Sequence, residues 1–224
     1  MMMRHLALAL TLLLASAHIA GAGPWLREKG TGFVATSGSI TAENDVSGTL
    51  YAEYGLRDRL TLGADIFYGI DRTLQQSGSG ILFLRFPLSQ PDATHKWAWH
   101  AGLGARSRNM VITPAVEAGL SWGRGIQIGD RFGWAVIDSS VNIPGSDLET
   151  RIKLDGTIGL GFTDHVKGMA QLFTTHQGGD VFVKVAPSLL VIPGKGQTTL
   201  QLSAEIPVAG GGETQFKLGI WRTF

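Results

Sequence analysis

The sequence predicts an all-β chain, an antiparallel up-and-down barrel of about twelve strands behind a cleaved export signal. Three observations predict it. Segments that alternate one apolar with one polar residue recur along the whole chain. Clusters of Gly, Asp, Asn and Ser separate them at the spacing of sequential hairpins. Beyond the N-terminus, no apolar run is long enough to cross a membrane as a helix.

The first segment, MMMRHLALALTLLLASAHIAGA, has a basic start at Arg4, an apolar run from Leu6 to Leu14, and the small pair Ala20 and Ala22. That is the layout of a secretory signal peptide, residues 1–22, cut after Ala22. Its removal takes away Arg4, so Lys+Arg falls from 19 to 18 and equals Asp+Glu at 18. A neutral mature chain has no basic face for nucleic acid. With no cysteine there is no disulfide framework, thiolate metal site, thiol nucleophile or lipid-anchored N-terminus. No cofactor motif is present. An exported chain of this kind is either soluble or a membrane barrel.

The elements follow in order, with strand centres expected near Ala35, Leu50, Ala64, Phe83, Ala101, Ala118, Ile137, Gly156, Ala170, Pro187, Ser203 and Gly219. The clearest is RIKLDGTIGLGF: Ile152, Leu154, Ile158, Leu160 and Phe162 on one face, Arg151, Lys153, Asp155 and Thr157 on the other. A helix would scatter those three charges around its surface. The same split separates Leu60, Leu62, Ile66 and Tyr68 from Arg59, Thr61 and Asp65. It separates Trp97, Trp99 and Leu103 from His100 and Arg106, and Val116, Leu120 and Trp122 from Glu117 and Ser121. Near the end, Leu200, Leu202 and Ile206 oppose Gln201, Ser203 and Glu205. In ILFLRF only Arg85 sets the phase, and 133–143 and 166–174 read in either phase. Pro187 marks an edge or a bulge in its strand.

Alternation alone does not say whether the apolar face looks inward, as in a soluble sandwich, or outward to lipid. Three features favour lipid. An even strand count closes a meander with both ends on one side. Aromatics near strand ends (Tyr54, Tyr68, Phe86, Trp97, Trp122, Phe162 and Trp221) suit interfacial girdles. The polar faces mix charges with Gly and Ser, as a crowded lumen requires.

The final stretch, FKLGIWRTF, alternates Phe216, Leu218, Ile220 and Phe224 with Lys217, Gly219, Trp221 and Thr223. It resembles the closing strand of Gram-negative outer-membrane β-barrels, an alternating strand that finishes in Phe. The resemblance implies recognition of Phe216, Leu218, Ile220 and Phe224 by the barrel-assembly machinery. Arg222 departs from that pattern, its position usually being apolar, and its long side chain reaches headgroups. LYAEYGLRDRLTLGADI, Leu50 to Ile66, is similar to a strand–turn–strand of small proteobacterial barrels, loosely those of the phenol-degradation-pathway outer-membrane group. These resemblances imply location and fold, not substrate.

No residue pattern carries catalysis or a metal. His95, His100, His165 and His176 form no H-x-x-x-H pair. Ser121 and His100 share a polar face on neighbouring strands. The expected register puts His100 opposite residue 118, leaving about 10 Å between the two, beyond hydrogen-bond reach. PGKGQTT lacks the first Gly and the Ser/Thr of a phosphate loop.

The chemistry lies in the polar face. Its expected lumen charges are Glu53, Arg59, Asp65, Arg85, Arg106, Glu117, Asp138, Arg151, Lys153, Asp155, Lys167, Lys184, Glu205 and Lys217. Enclosed charges need partners or water. The near balance therefore means either a wet pore for small solutes or an ion-paired network filling a closed barrel. Residues 23–30, GPWLREKG, hang in the periplasm or fold up into the lumen as a plug, and residues 31–224 form the barrel. The expected function is porin-like passage of small polar solutes across the outer membrane. A membrane-embedded lipid hydrolase and a secreted soluble β-barrel that binds a ligand are the alternatives.

Overall fold

The computed structural model describes residues 23–145, 148–194 and 196–224; the expected signal peptide lies outside them. Twelve strands follow one another: β1 (Gly32–Thr41), β2 (Val46–Arg57), β3 (Leu60–Ile70), β4 (Gln76–Pro87), β5 (Lys96–Arg108) and β6 (Val111–Ile128). Then come β7 (Arg131–Pro144), β8 (Arg151–Gly161), β9 (Val166–Gln177), β10 (Asp180–Val191), β11 (Thr198–Ala209) and β12 (Gln215–Thr223). Each pairs antiparallel with its sequence neighbours, and β1 pairs with β12, so the sheet closes. Closure satisfies the backbone of every strand and leaves no edge. Each expected strand centre falls within its strand.

The start of β1 and the end of β12 lie at one rim, called here the terminal rim; the opposite one is the loop rim. Connections at the loop rim are short. Asn109 and Met110 turn the β5–β6 hairpin with φ of 47° and 70°, and Gly178 and Gly179 turn β9–β10 with φ of 64° and 86°. Positive φ at both central positions matches the right-handed twist of the flanking strands.

The outward face is an apolar belt. Leu82, Leu103, Leu154, Ile158, Leu202 and Leu218 are all exposed. Phe216, Leu218, Ile220 and Arg222 share this face on β12, and Phe224, just past its end, is exposed too. Aromatics collect outside the terminal rim, where Phe86 stacks on Trp99 at 4.8 Å and Trp97 meets Trp122 at 6.5 Å. Tyr54 and Phe162 are exposed near the same rim, whereas Tyr68 lies toward the loop rim. Trp221 corrects the expectation of a girdle residue. It pairs with Ala35, points inward and packs against Phe33 at 6.3 Å.

The two ambiguous stretches resolve with Trp134, Val136, Asp138 and Asn142 inward on β7, and Lys167, Met169, Gln171 and Phe173 inward on β9. Large apolar side chains stand on the inner face there, which erases the polarity contrast. Pro187 marks neither an edge nor a bulge: the β10–β11 register shifts between Val183 and Lys184 and is constant from Lys184 to Val191, and β10 stays in register with β9 throughout.

Candidate functional site

The site is the lumen, and period-2 geometry builds it. Every second residue of each strand points inward. Of the fourteen expected lumen charges, thirteen stand on inward positions. Arg59 does not: it lies exposed in the tight turn between Arg57 and Leu60, because β3 begins only at Leu60, one residue after it.

At the terminal end the charges are deeply buried and paired. Glu53 is 2% exposed and forms an ion pair with Arg85, itself 5% exposed. The Tyr51 hydroxyl donates to the same oxygen, Oε1, at 2.5 Å, and the other oxygen, Oε2, accepts from Arg27 Nε at 2.7 Å. Arg27 belongs to the segment ahead of β1. That segment turns back at Gly30 (φ 84°) and enters the barrel. The Arg27 amide donates to Thr61 Oγ1 at 3.0 Å, and Gly30 and Gly55 exchange backbone bonds with this stretch, Gly30 N to Gly55 O at 2.9 Å and Gly55 N to Thr31 O at 3.0 Å. Gly55 is what permits this approach, since a Cβ there would collide with the Glu28 carbonyl. Beyond it, Trp25 packs on a buried cluster of Trp134, Val136, Met169 and Leu190.

Above this floor an aromatic collar runs around part of the lumen: Trp221, Phe33, Tyr51, Phe83 and His100, with successive ring centroids 5.3 to 6.4 Å apart. Inward glycines make room for it. Phe83 lies over its register partner Gly63, as His100 lies over Gly119 and Trp134 over Gly159. Sequence reasoning passed over this collar. For Phe83 and His100 its signal is a large ring on a polar-face position whose cross-strand partner is glycine.

Toward the loop rim lies a cavity of about 640 Å³ lined by residues of ten strands, all but β5 and β6. Its walls differ. The β10–β12 wall carries neutral donors and acceptors plus one triad. Gln201 Nε2 donates to Ser188 at 3.2 Å, Ser188 donates to Ser203 at 2.9 Å, and Trp221 Nε1 donates to Gln201 Oε1 at 3.1 Å. Glu205 is paired with Lys217 and lies 3.6 Å from Lys184. The opposite wall carries Asp65, Asp138, Arg151, Lys153 and Asp155. A small recess behind it adds Arg106, Glu117 and Asn142. Lys167 stands apart, its ammonium 5.9 Å from the centre of the Trp134 ring.

His100 and Ser121 sit closer than expected. His100 pairs with Gly119, so Ser121 is two residues away, not three. They still do not form a nucleophile and base. His100 turns Nε2 toward Glu117 at 3.5 Å, and Ser121, 1% exposed, sits opposite Asp138. Glu117 in turn accepts from Asn142 Nδ2 at 3.2 Å.

The chain matches no protein-family profile and no curated relative. Among solved structures it is similar to a KdgM porin: TM-score 0.61, 9% identity, covering 86% of this chain and 99% of the porin. It is also similar to an outer membrane channel from Pseudomonas putida: TM-score 0.58, 12% identity, 91% and 98% covered. A third is LpxR from Salmonella typhimurium: TM-score 0.56, 10% identity, 86% and 100% covered. At such identities the shared property is the barrel itself.

Proposed function

We propose that this chain is an outer-membrane channel of porin type that passes small polar solutes, with residues 23–30 as an inner plug at the periplasmic end. The cavity of about 640 Å³ carries the reading. A barrel packed solid by its own ion pairs would leave no such space, and this one is lined by hydroxyl, amide and charged groups that replace a solute's water shell. The exposed apolar belt and the aromatics at one rim fit a lipid surround. Two of the similar barrels are described as a porin and a channel, which supports the same reading. The outward residues Phe216, Leu218, Ile220 and Phe224 would then present the assembly signal to the barrel-assembly machinery.

Geometry at the floor supports the plug. Trp25 and Arg27 occupy the lumen's terminal end, so passage requires their displacement. Planar-bilayer recording of the refolded chain 23–224 tests this, beside a variant that begins at Thr31. Conductance steps are expected from both, severalfold larger in the shorter chain. Silence from both at every voltage would overturn the channel reading, and equal steps would overturn the plug. Location is checked by fractionation: the chain should partition with outer membrane and change gel mobility on heating.

A further inference from the structure

We propose that Arg106 and Arg151 form a station at the loop-side mouth that binds the oxyanion group, carboxylate or phosphate, of a small solute. The two side chains come from strands β5 and β8, brought together by the curvature of the wall between them. Arg106 Nη2 and Arg151 Nε donate to one acceptor, Gln177 Oε1, at 3.2 and 3.0 Å. Two guanidinium groups thus lie within about 6 Å of each other and share a neutral amide oxygen. Arg106 Nη1 donates to the Glu149 backbone carbonyl at 2.7 Å, and the Glu149 carboxylate, which among the described residues forms no ion pair within 4 Å, interacts with Arg106 electrostatically.

Four of the other lumen cations are placed differently, whereas Lys153 and Lys167, among the described residues, also have no carboxylate within 4 Å. Arg27, Arg85, Lys184 and Lys217 each lie within 4 Å of a carboxylate. Among the described residues neither Arg106 nor Arg151 does. Like charges in a partly enclosed space repel unless an anion stands between them. Each guanidinium also presents a planar fork of donors matched to two oxygens of a carboxylate or phosphate. Gln177 fills only part of that capacity.

Access and local charge agree. Arg151 and Gln177 line the main cavity directly, while Arg106 lines the recess behind. Lys153 stands one inward position further down β8 and adds a third cation. Two carboxylates share the recess. Glu117 is already engaged by Asn142 and by His100. Asp65, on β3, interacts electrostatically with Lys153, on β8. An incoming oxyanion would take the place of Gln177 between the two forks, then meet Lys153 on its way inward.

The station deepens the channel reading by naming a solute class, but its test is a binding measurement that needs no conduction. The refolded barrel in a zwitterionic detergent at low salt is titrated calorimetrically with citrate, with inorganic phosphate and with glycerol. Saturable binding is expected for citrate, phosphate or both, and none for glycerol. Whichever anion binds tighter names the preferred oxyanion. The double variant Arg106→Gln/Arg151→Gln should weaken it by about tenfold or more, the scale of losing a charge-assisted bond. The double variant Arg106→Lys/Arg151→Lys, which keeps charge but not the fork, should fall between. Arg124→Gln, at the opposite rim, should bind as the parent does. A heat-induced mobility shift confirms that each variant is folded, and Arg151→Gln alone serves if the double variant is not. No anion binding by the parent, or equal binding by parent and glutamine variant, overturns the station. Conductance without anion binding would therefore sink the station alone, and anion binding without conductance the channel alone.

Discussion

The two ends of the lumen hold similar side chains under opposite conditions. At the terminal end, Arg85 and Arg27 converge on one carboxylate, Glu53, whose side chain has no solvent exposure. At the loop end, Arg106 and Arg151 converge on one amide, Gln177, beside an open cavity. The first arrangement holds a buried carboxylate between its two cations, and the Tyr51 hydroxyl joins it. The second holds two cations and a neutral acceptor. Ion-paired sets serve structure, because a buried ion stripped of its partner costs more than the pair gains. A set without that pairing, in contact with water, leaves binding capacity for something that passes.

The largest expected effect breaks the ion-paired end. Glu53→Gln leaves two arginines in a buried site without a counter-charge and should destabilise the barrel by about 3–5 kcal/mol, the usual cost of breaking a buried pair. Urea unfolding of the refolded barrel, followed by tryptophan fluorescence, measures it. Loss below about 1 kcal/mol would mean the terminal end is wet, and the contrast between ends would fail.

A second substitution strikes the same end without touching a charge. Gly55→Ala places a methyl group where the Glu28 carbonyl sits, so the segment 23–30 must move. The outcome should resemble removal of the plug, a rise in single-channel conductance, with the twelve strands intact by circular dichroism. Unchanged conductance would show that the segment does not control the lumen.

The smallest effect is expected at the loop end. Arg151 is half-buried and has no carboxylate partner among the described residues, so Arg151→Gln should change unfolding free energy by less than about 1 kcal/mol. Relief of repulsion from Arg106 makes a slight gain the expected sign. A large loss in the same unfolding assay would make this arginine structural, like its counterparts at the other end.

How far these ends were legible in the sequence differs by residue. Arg151, Lys153 and Asp155 stand out as inward because apolar Ile152, Leu154 and Ile158 flank them in strict alternation. Arg59 looked equivalent by the same rule and is not, because parity does not say where a strand stops and its turn begins. Trp221 sat on a polar-face position yet resembled a girdle aromatic. Only its pairing with Ala35 and its contact with Phe33 assign it to the lumen. On β7 and β9, Trp134, Val136 and Met169 face inward as apolar residues, so hydropathy there has no phase to reveal.

What the chain determined by itself is therefore local: twelve strands, their order, their turns and, for most, their inner face. Each follows from a two-residue period that depends only on neighbours in sequence. Tertiary structure decided which inner residues meet. Arg106 and Gln177 are far apart in sequence and on non-adjacent strands, and Arg27 reaches Glu53 only because the segment before β1 turns inward. Such meetings depend on how the sheet curves and closes, a property of all twelve registers together that no single strand encodes.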